Sequence, residues 1–94
     1  MPKEKEIKIE GFEILRFTLM TEKSIRMIEE QNKMVFIVKR SAKREEIKNA
    51  IESIFSSPVM SVNTMIDQKG RKKAFIKFKN PEAAGEIAMR LGII

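Results

Sequence analysis

The sequence predicts an α+β fold, a mainly antiparallel four-stranded sheet backed by helices, with the element order β-α-β-α-β-β-α. Two observations carry this prediction. Apolar residues recur at helical spacing in segments that follow strand-like runs, and the last two strand-like runs are separated only by a short polar connection. A helix separates the first two strands, so a parallel pair joined by a right-handed crossover is a second arrangement for them.

The first half of the chain contains two predicted strands with a helix between them. Residues 12–20 are mainly apolar and predict the first strand. Thr21 stands at a helix N-cap position, where its hydroxyl can accept the backbone N–H of Ser24, and the helix is expected to stop near Asn32. Residues 34–38, Met-Val-Phe-Ile-Val, are apolar on both faces and predict a strand that is covered on each side.

The second half contains the strongest helix signal and a hairpin. From Ile47 to Phe55 apolar residues recur at i, i+3, i+4, i+7 and i+8, which predicts a helix with a wide apolar face. Residues 59–66 and 72–79 alternate in polarity as strands do. Residues 67–71 predict a tight connection between them, in which Gly70 takes a positive φ.

The sequence predicts the structure of the C-terminal end more clearly than that of the N-terminal end. At the C-terminal end, Asn80 and Pro81 predict the start of a last helix, and Gly92 predicts its end. At the N-terminal end, residues 1–12 form a charged extension that alternates charge and Ile, a pattern compatible with a frayed tail and with an added edge strand. Residues 13–94 are expected to form a single domain.

The composition argues against an enzyme. The 94 residues include no Cys and no His, which removes disulfides, thiolate and imidazole nucleophiles and most zinc sites. The glycines form no phosphate-binding pattern, no apolar run approaches the ~20 residues of a membrane span, and the charged N-terminus is unlike a signal peptide. We expect no catalytic residue, metal, cofactor, small-molecule substrate or membrane partner.

Positive charge is concentrated in one part of the sequence. The chain carries 19 Lys and Arg against 13 Asp and Glu, a formal net charge of +6. Between Lys33 and Lys79 there are twelve basic and only four acidic residues. A polyanionic partner is the favoured explanation, because each Lys or Arg placed on a phosphate releases condensed counterions. The alternative is an ordinary solvated surface.

The hairpin carries the pattern that points most directly to nucleic acid. Four of the five residues 69–73 are cations, and Asn63 and Thr64 precede them on the strand. A narrow β-ribbon with this charge suits a nucleic-acid groove. Phe75 lies on a strand face flanked by lysines, where two roles are open. It can stack on a base, or pack under the last helix while the lysines extend past it, which is the role we favour.

Several segments together resemble one ribosomal protein family. In chain order, the segments are a TEKS element (Thr21–Ser24), a central strand and helix (residues 33–55), two parts of a hairpin signature (residues 62–64 and 69–77) and a closing tail (residues 86–92). The chain thus resembles the large-subunit ribosomal protein L twenty-three (L23) family, a universal family, over roughly residues 14–94. The short hairpin connection resembles archaeal and eukaryotic members, because bacterial members extend it.

The resemblance implies a structural protein of the ribosome, a cytoplasmic ribonucleoprotein that acts in translation. It implies binding to large-subunit rRNA, in its domain III, beside the polypeptide exit tunnel. The implied partners are this rRNA, neighbouring large-subunit ribosomal proteins, the signal recognition particle and nascent-chain factors.

Two groups of residues are expected to make these contacts. The rRNA-binding residues are expected to be Thr21, Lys23, Ser24, Lys39, Arg40, Lys43, Arg44, Lys48, Asn63, Thr64, Lys69, Arg71, Lys72 and Lys73. The acidic residues of the first helix are expected to dock targeting factors: Glu22, Glu29 and Glu30.

Residues 71–78 support an alternative function. They half-match the octapeptide of the RNA-recognition motif, a single-stranded RNA-binding module. However, Lys72 and Lys73 stand where that motif has Gly and an aromatic residue, and the first strand has no partner aromatic motif. A small phosphate-processing enzyme of similar topology is a third class, and the absence of His weighs against it.

Overall fold

The described part of the chain, residues 5–8 and 14–92 of a computed structural model, forms one antiparallel sheet with three helices. The elements in chain order are β1 (Lys5–Lys8), β2 (Leu15–Met20), α1 (Glu22–Gln31), β3 (Lys33–Val38), α2 (Arg44–Phe55), β4 (Val59–Ile66), β5 (Lys72–Phe78) and α3 (Ala83–Arg90). The strands lie side by side in the order β1-β2-β3-β5-β4.

The predicted α+β fold is confirmed, with the four predicted strands and three helices in the predicted order. The charged extension contributes an additional strand: β1 pairs with the outer edge of β2, with Lys5 opposite Met20 and Lys8 opposite Phe17. Of the two readings of this extension, an edge strand is therefore the one found for residues 5–8. The remaining residues of the extension lie outside the described part.

The first two predicted strands, β2 and β3, pair antiparallel and not through a crossover. Leu15 lies opposite Val38 and Thr18 opposite Phe36. Helix α1 therefore joins two adjacent strand ends and does not return along the sheet.

Local hydrogen bonds define both ends of α1. The Thr21 hydroxyl accepts the Ser24 backbone N–H at 3.1 Å, as predicted, and the Ser24 hydroxyl accepts the Thr21 N–H at 2.8 Å. Together they form a reciprocal capping box. At the other end Asn32 takes a left-handed conformation with φ of 55°, which stops the helix where the sequence predicts.

The two faces of the sheet are covered differently. On the helix-bearing face, side chains of β3 and β5 pack with α2 and α3, and the rings of Phe36 and Phe55 lie 5.9 Å apart. On the second face, Leu19, Val35 and Ile37 are buried in a smaller cluster. The central strand is thus covered on both sides, as its apolar sequence predicts.

Phe75 belongs to the second face and does not pack under the last helix, so the favoured role for this residue is wrong. Successive side chains of a strand point to opposite faces of the sheet. Because Ala74, Ile76 and Phe78 face the helices, Phe75 must point to the second face. Phe75 is half-buried and packs in the smaller cluster, beside Val35 on the adjacent strand.

The last helix begins later than Asn80 and Pro81 suggest. Residues 80–83 form a turn closed by the Ala83 N–H, which donates to the Asn80 carbonyl at 3.1 Å, and α3 starts at Ala83. Its first turn is capped by a distant residue, since the Asn32 side-chain oxygen accepts the Ala84 N–H at 2.9 Å. The end at Gly92, with φ of 74°, is as predicted.

Candidate nucleic-acid interface

The β4–β5 hairpin is organised by one carboxylate. Asp67 Oδ1 accepts the backbone N–H groups of Lys69 and Arg71, both at 2.9 Å, and Oδ2 accepts Arg71 Nε at 2.8 Å. Gly70 takes φ of 79°, as predicted, which lets the chain turn within this short connection. Arg71 is therefore a structural residue of the hairpin as well as a predicted RNA contact.

These contacts set the ionisation of Asp67. Partial burial acts to raise its pKa, but the Arg71 backbone N–H, the Arg71 guanidinium and the Lys69 backbone N–H together outweigh burial. They hold the pKa of Asp67 below its ordinary value of 3.8. The carboxylate is thus charged at neutral pH and stays paired with Arg71.

The hairpin lies against the loop between β3 and α2. Lys72 Nζ donates to the Ala42 carbonyl at 2.6 Å, and the position that a Cβ of Gly70 would take is 3.9 Å from Arg40 Nη1. This contact joins two predicted sites that are about thirty residues apart in sequence. We call residues 39–44 and 67–72 the basic end, because they hold seven cations and one carboxylate, Asp67.

Helix α2 extends the basic end. Lys43, Arg44 and Lys48 are exposed at its start and in its second turn. Lys43 is the N-cap and has no acceptor in its side chain, but its own backbone N–H donates to Glu46 at 3.0 Å. Acidic residues in the first turn offset the unfavourable interaction between these cations and the helix dipole.

Asn63 and Thr64 are neighbours in sequence that point to opposite faces of the sheet. Asn63 is exposed on the second face, directly opposite Phe75 on β5. Thr64 is half-buried opposite Ala74, on the helix-bearing face. Lys73 lies on the second face with Asn63 and Phe75, so this face carries its own polar and cationic groups beside a half-buried ring.

The TEKS element is largely occupied by its own fold. Ser24 is buried, and its hydroxyl donates to the carbonyls of Leu19 and Thr21 at 3.0 Å while it closes the capping box. Thr21 is half-buried and uses its hydroxyl in the same box. Lys23 is the exposed member of the three predicted contacts, and it lies beside the same apolar groove as Lys73 and Phe75.

The acidic residues of α1 are exposed, but their surroundings are mixed in charge. Glu22 lies 3.5 Å from Arg26, an ion pair in which both side chains are mostly in solvent. Glu29 and Glu30 line a shallow depression that three lysines, Lys33, Lys77 and Lys79, also line. Cations other than Arg26 therefore also lie beside the carboxylates of α1.

Sequence reasoning missed Arg16. It is exposed on β2, at the point where the pairing register between β2 and β3 shifts, and it lines a cavity with Arg40 and Arg71. A single charged residue within a mainly apolar strand is the signal that was available. Its significance depends on the positions of two distant segments, which the sequence does not show.

Within residues 5–8 and 14–92, no group of three or more His, Cys, Asp or Glu is placed to hold a metal ion. None of the described helices is long and apolar enough to cross a membrane.

Comparison with known proteins identifies the family. Residues 13–86 match the family model of ribosomal protein L23. The large ribosomal subunit protein uL23 of Methanococcus vannielii is 45% identical over 85 residues, which is 90% of this chain and 99% of that protein. The uL23 proteins of Methanococcus aeolicus and Methanococcus maripaludis are each 40% identical over the same lengths. The chain therefore belongs to the ribosomal protein L23 family, of the type found in archaea: it is a structural protein of the large ribosomal subunit, located in the ribosome in the cytoplasm, and not an enzyme.

Proposed function

We propose that this protein binds folded large-subunit rRNA, within domain III, through its basic end. One observation carries the proposal. The loop before α2 and the β4–β5 hairpin meet through the contact between Lys72 and Ala42, so that their cations form one surface. The basic end holds a single carboxylate, and Asp67 is already paired with Arg71. Such a surface matches the charge of an RNA backbone.

The shape of the basic end favours folded RNA over a flexible strand. Phosphate contacts position a protein on RNA when the cations are held at fixed separations. Here Asp67 fixes the hairpin and Lys72 fixes its distance from the neighbouring loop. The exposed cations Lys39, Lys43 and Lys69 are thereby supported on a defined scaffold.

The test compares two charge-matched triple variants in binding to a transcript of rRNA domain III. Lys39→Gln, Lys43→Gln and Lys69→Gln remove three cations of the basic end, whereas Arg26→Gln, Lys79→Gln and Arg90→Gln remove three exposed cations outside it. The first variant should bind at least tenfold more weakly than the second. Equal losses would refute the proposal, and so would a wild-type protein that shows no preference for this transcript over an equally long transcript from another rRNA domain.

The same experiment addresses the single-stranded RNA alternative. A short unstructured RNA should compete poorly against the domain III transcript, and Phe75→Ala should leave competition by this short RNA unchanged. Tight binding of the short RNA that is lost on Phe75→Ala would instead favour the RNA-recognition-motif function, since Phe75 is half-buried beside Lys73 and Asn63 on the second face.

We further propose that the protein lies beside the polypeptide exit tunnel, next to other large-subunit proteins, and that α1 helps to dock the signal recognition particle and nascent-chain factors. Family membership supports the location. The docking role is supported by Glu22, Glu29 and Glu30, which are three exposed carboxylates on one helix, α1. Charge complementarity of this kind acts mainly on the rate and orientation of association.

A further inference from the structure

Three segments that are far apart in sequence converge on one cavity at the basic end. Arg16 comes from the register shift in β2, Arg40 from the loop after β3, and Arg71 from the β4–β5 hairpin. The cavity is also lined by Phe17, Ile37, Val38, Gly70 and Lys72. None of the described residues that line it is acidic.

Irregular backbone at two of these segments places the arginines. The register shift between Leu15 and Phe17 interrupts the alternation of β2, so that Arg16 is exposed although its strand neighbours are buried or half-buried. Arg40 follows the end of β3 and is exposed beside Gly70. Both side chains thus line the cavity, from segments that are about 24 residues apart in sequence.

The third arginine is held in position by its own partner. Arg71 Nε donates to Asp67 at 2.8 Å, and its side chain is only 19% exposed. This bond fixes the plane of the guanidinium, so a ligand that meets Arg71 does not have to order a flexible chain. Phe17 also lines the cavity, and its half-buried ring gives the cavity one aromatic surface beside the arginines.

We propose that this cavity is a specific site for one backbone phosphate of the rRNA, with the sugar or base of that nucleotide against Phe17. The proposal rests on the proposed rRNA binding and assigns Arg16 to it. Three arginines suit phosphate, because each planar guanidinium can donate two parallel hydrogen bonds to its oxygens. The Phe17 ring suits the sugar or base of a nucleotide, which a free inorganic ion lacks.

The test measures affinity for the domain III transcript as a function of salt for five proteins: wild type, Arg16→Gln, Arg40→Gln, the double variant, and the control Arg90→Gln, which removes an exposed arginine of α3. Arg16→Gln should bind about tenfold more weakly, and its log–log salt slope should be smaller in magnitude by about 0.7–0.9. The control should change affinity by less than about twofold. Arg16 is exposed, so thermal melting should be unchanged and should confirm folding.

Two further comparisons separate a shared phosphate from general positive charge. If Arg16 and Arg40 hold the same phosphate, the salt slope of the double variant should be smaller by the amount for one phosphate contact and not for two. The loss of affinity in the double variant should then be less than the sum of the two single losses. Arg16→Lys should have nearly the wild-type salt slope, because the positive charge is retained. It should bind more weakly than wild type, because an ammonium cannot donate the two parallel hydrogen bonds of a planar guanidinium.

Equal effects of Arg16→Gln and Arg90→Gln, in a wild-type protein that binds the transcript, would overturn the phosphate site and leave the proposed function standing. Additive losses in the double variant would also overturn it. Absence of wild-type binding would refute both proposals together.

Discussion

At the residue scale, Asn32 joins three parts of the chain. Its backbone closes α1 in the left-handed conformation. Its side-chain amide donates to the carbonyls of Phe78 at 3.0 Å and Asn80 at 2.6 Å, and its oxygen accepts the Ala84 N–H. One side chain therefore ties the end of β5 and the start of α3 to the end of α1.

Replacement of Asn32 separates the contribution of its side chain from that of its backbone. Asn32→Gly keeps the left-handed conformation but loses three hydrogen bonds, and should lower the free energy of unfolding by about 2–4 kcal/mol. Asn32→Ala should cost roughly 1 kcal/mol more, because a Cβ is unfavourable in this conformation. Urea unfolding measures both, with the exposed Asn49→Ala as control. A glycine variant as stable as wild type would contradict the structural role.

Asn63 is expected to contribute to rRNA binding and not to stability, in contrast to Asn32. It is exposed on the second face, so Asn63→Ala should fold normally and bind the domain III transcript about threefold to tenfold more weakly, the effect of one hydrogen bond of roughly 1 kcal/mol. Thermal melting and filter binding check the two parts. A large fall in melting temperature with unchanged affinity of the folded fraction would make Asn63 a structural residue.

At the element scale, the hairpin depends on the charge of Asp67. Its folded-state pKa lies below 3.8, so its contribution to stability is present above that pH and is lost as the pH falls through the lowered pKa. Asp67→Asn should therefore have a lower melting temperature than wild type at pH 7, and the difference should shrink below about pH 4. The control is Glu29→Gln, which removes an exposed carboxylate of α1 outside the hairpin. A difference that stays constant from pH 7 to pH 2 would exclude this ion pair as its cause.

Helix α1 is the element proposed to dock targeting factors. In assembled ribosomes, Glu29→Lys with Glu30→Lys should slow association of the signal recognition particle at low salt by about tenfold, because the attraction becomes repulsion. Stopped-flow measurement of the association rate tests this. The matched control is Glu82→Lys with Glu86→Lys at the start of α3. An unchanged rate would leave α1 as an ordinary solvated surface.

At the scale of the whole molecule, the distribution of charge should determine how the proposed binding to rRNA responds to salt. The cations that we expect to contribute are Lys39, Arg40, Lys43, Arg44, Lys69, Arg71, Lys72 and Lys73. If about six of them reach phosphates, the log–log slope of affinity against salt should be about −4 to −5. A filter-binding titration of the wild-type protein measures the slope. A value close to zero would remove the electrostatic basis of the proposed function.

Much of the fold was predictable because its signals are local. The caps of α1, the apolar face of α2 and the turn at Gly70 each depend on residues within one or two turns of chain. The order of elements follows from them. The cations of the candidate site were also visible as a concentration of charge between Lys33 and Lys79.

The tertiary structure decided what depends on distant pairing. The register of β3 with β5 assigns each side chain to a face, which is why Phe75 lies away from α3. Strand order brings Arg16, Arg40 and Arg71 to one cavity, and Asn32, which follows α1, caps α3. The sequence by itself determined the elements and the charge, because both reside in short stretches of chain. Which residues meet was decided by the fold, because contacts between distant segments are fixed only when the whole sheet assembles.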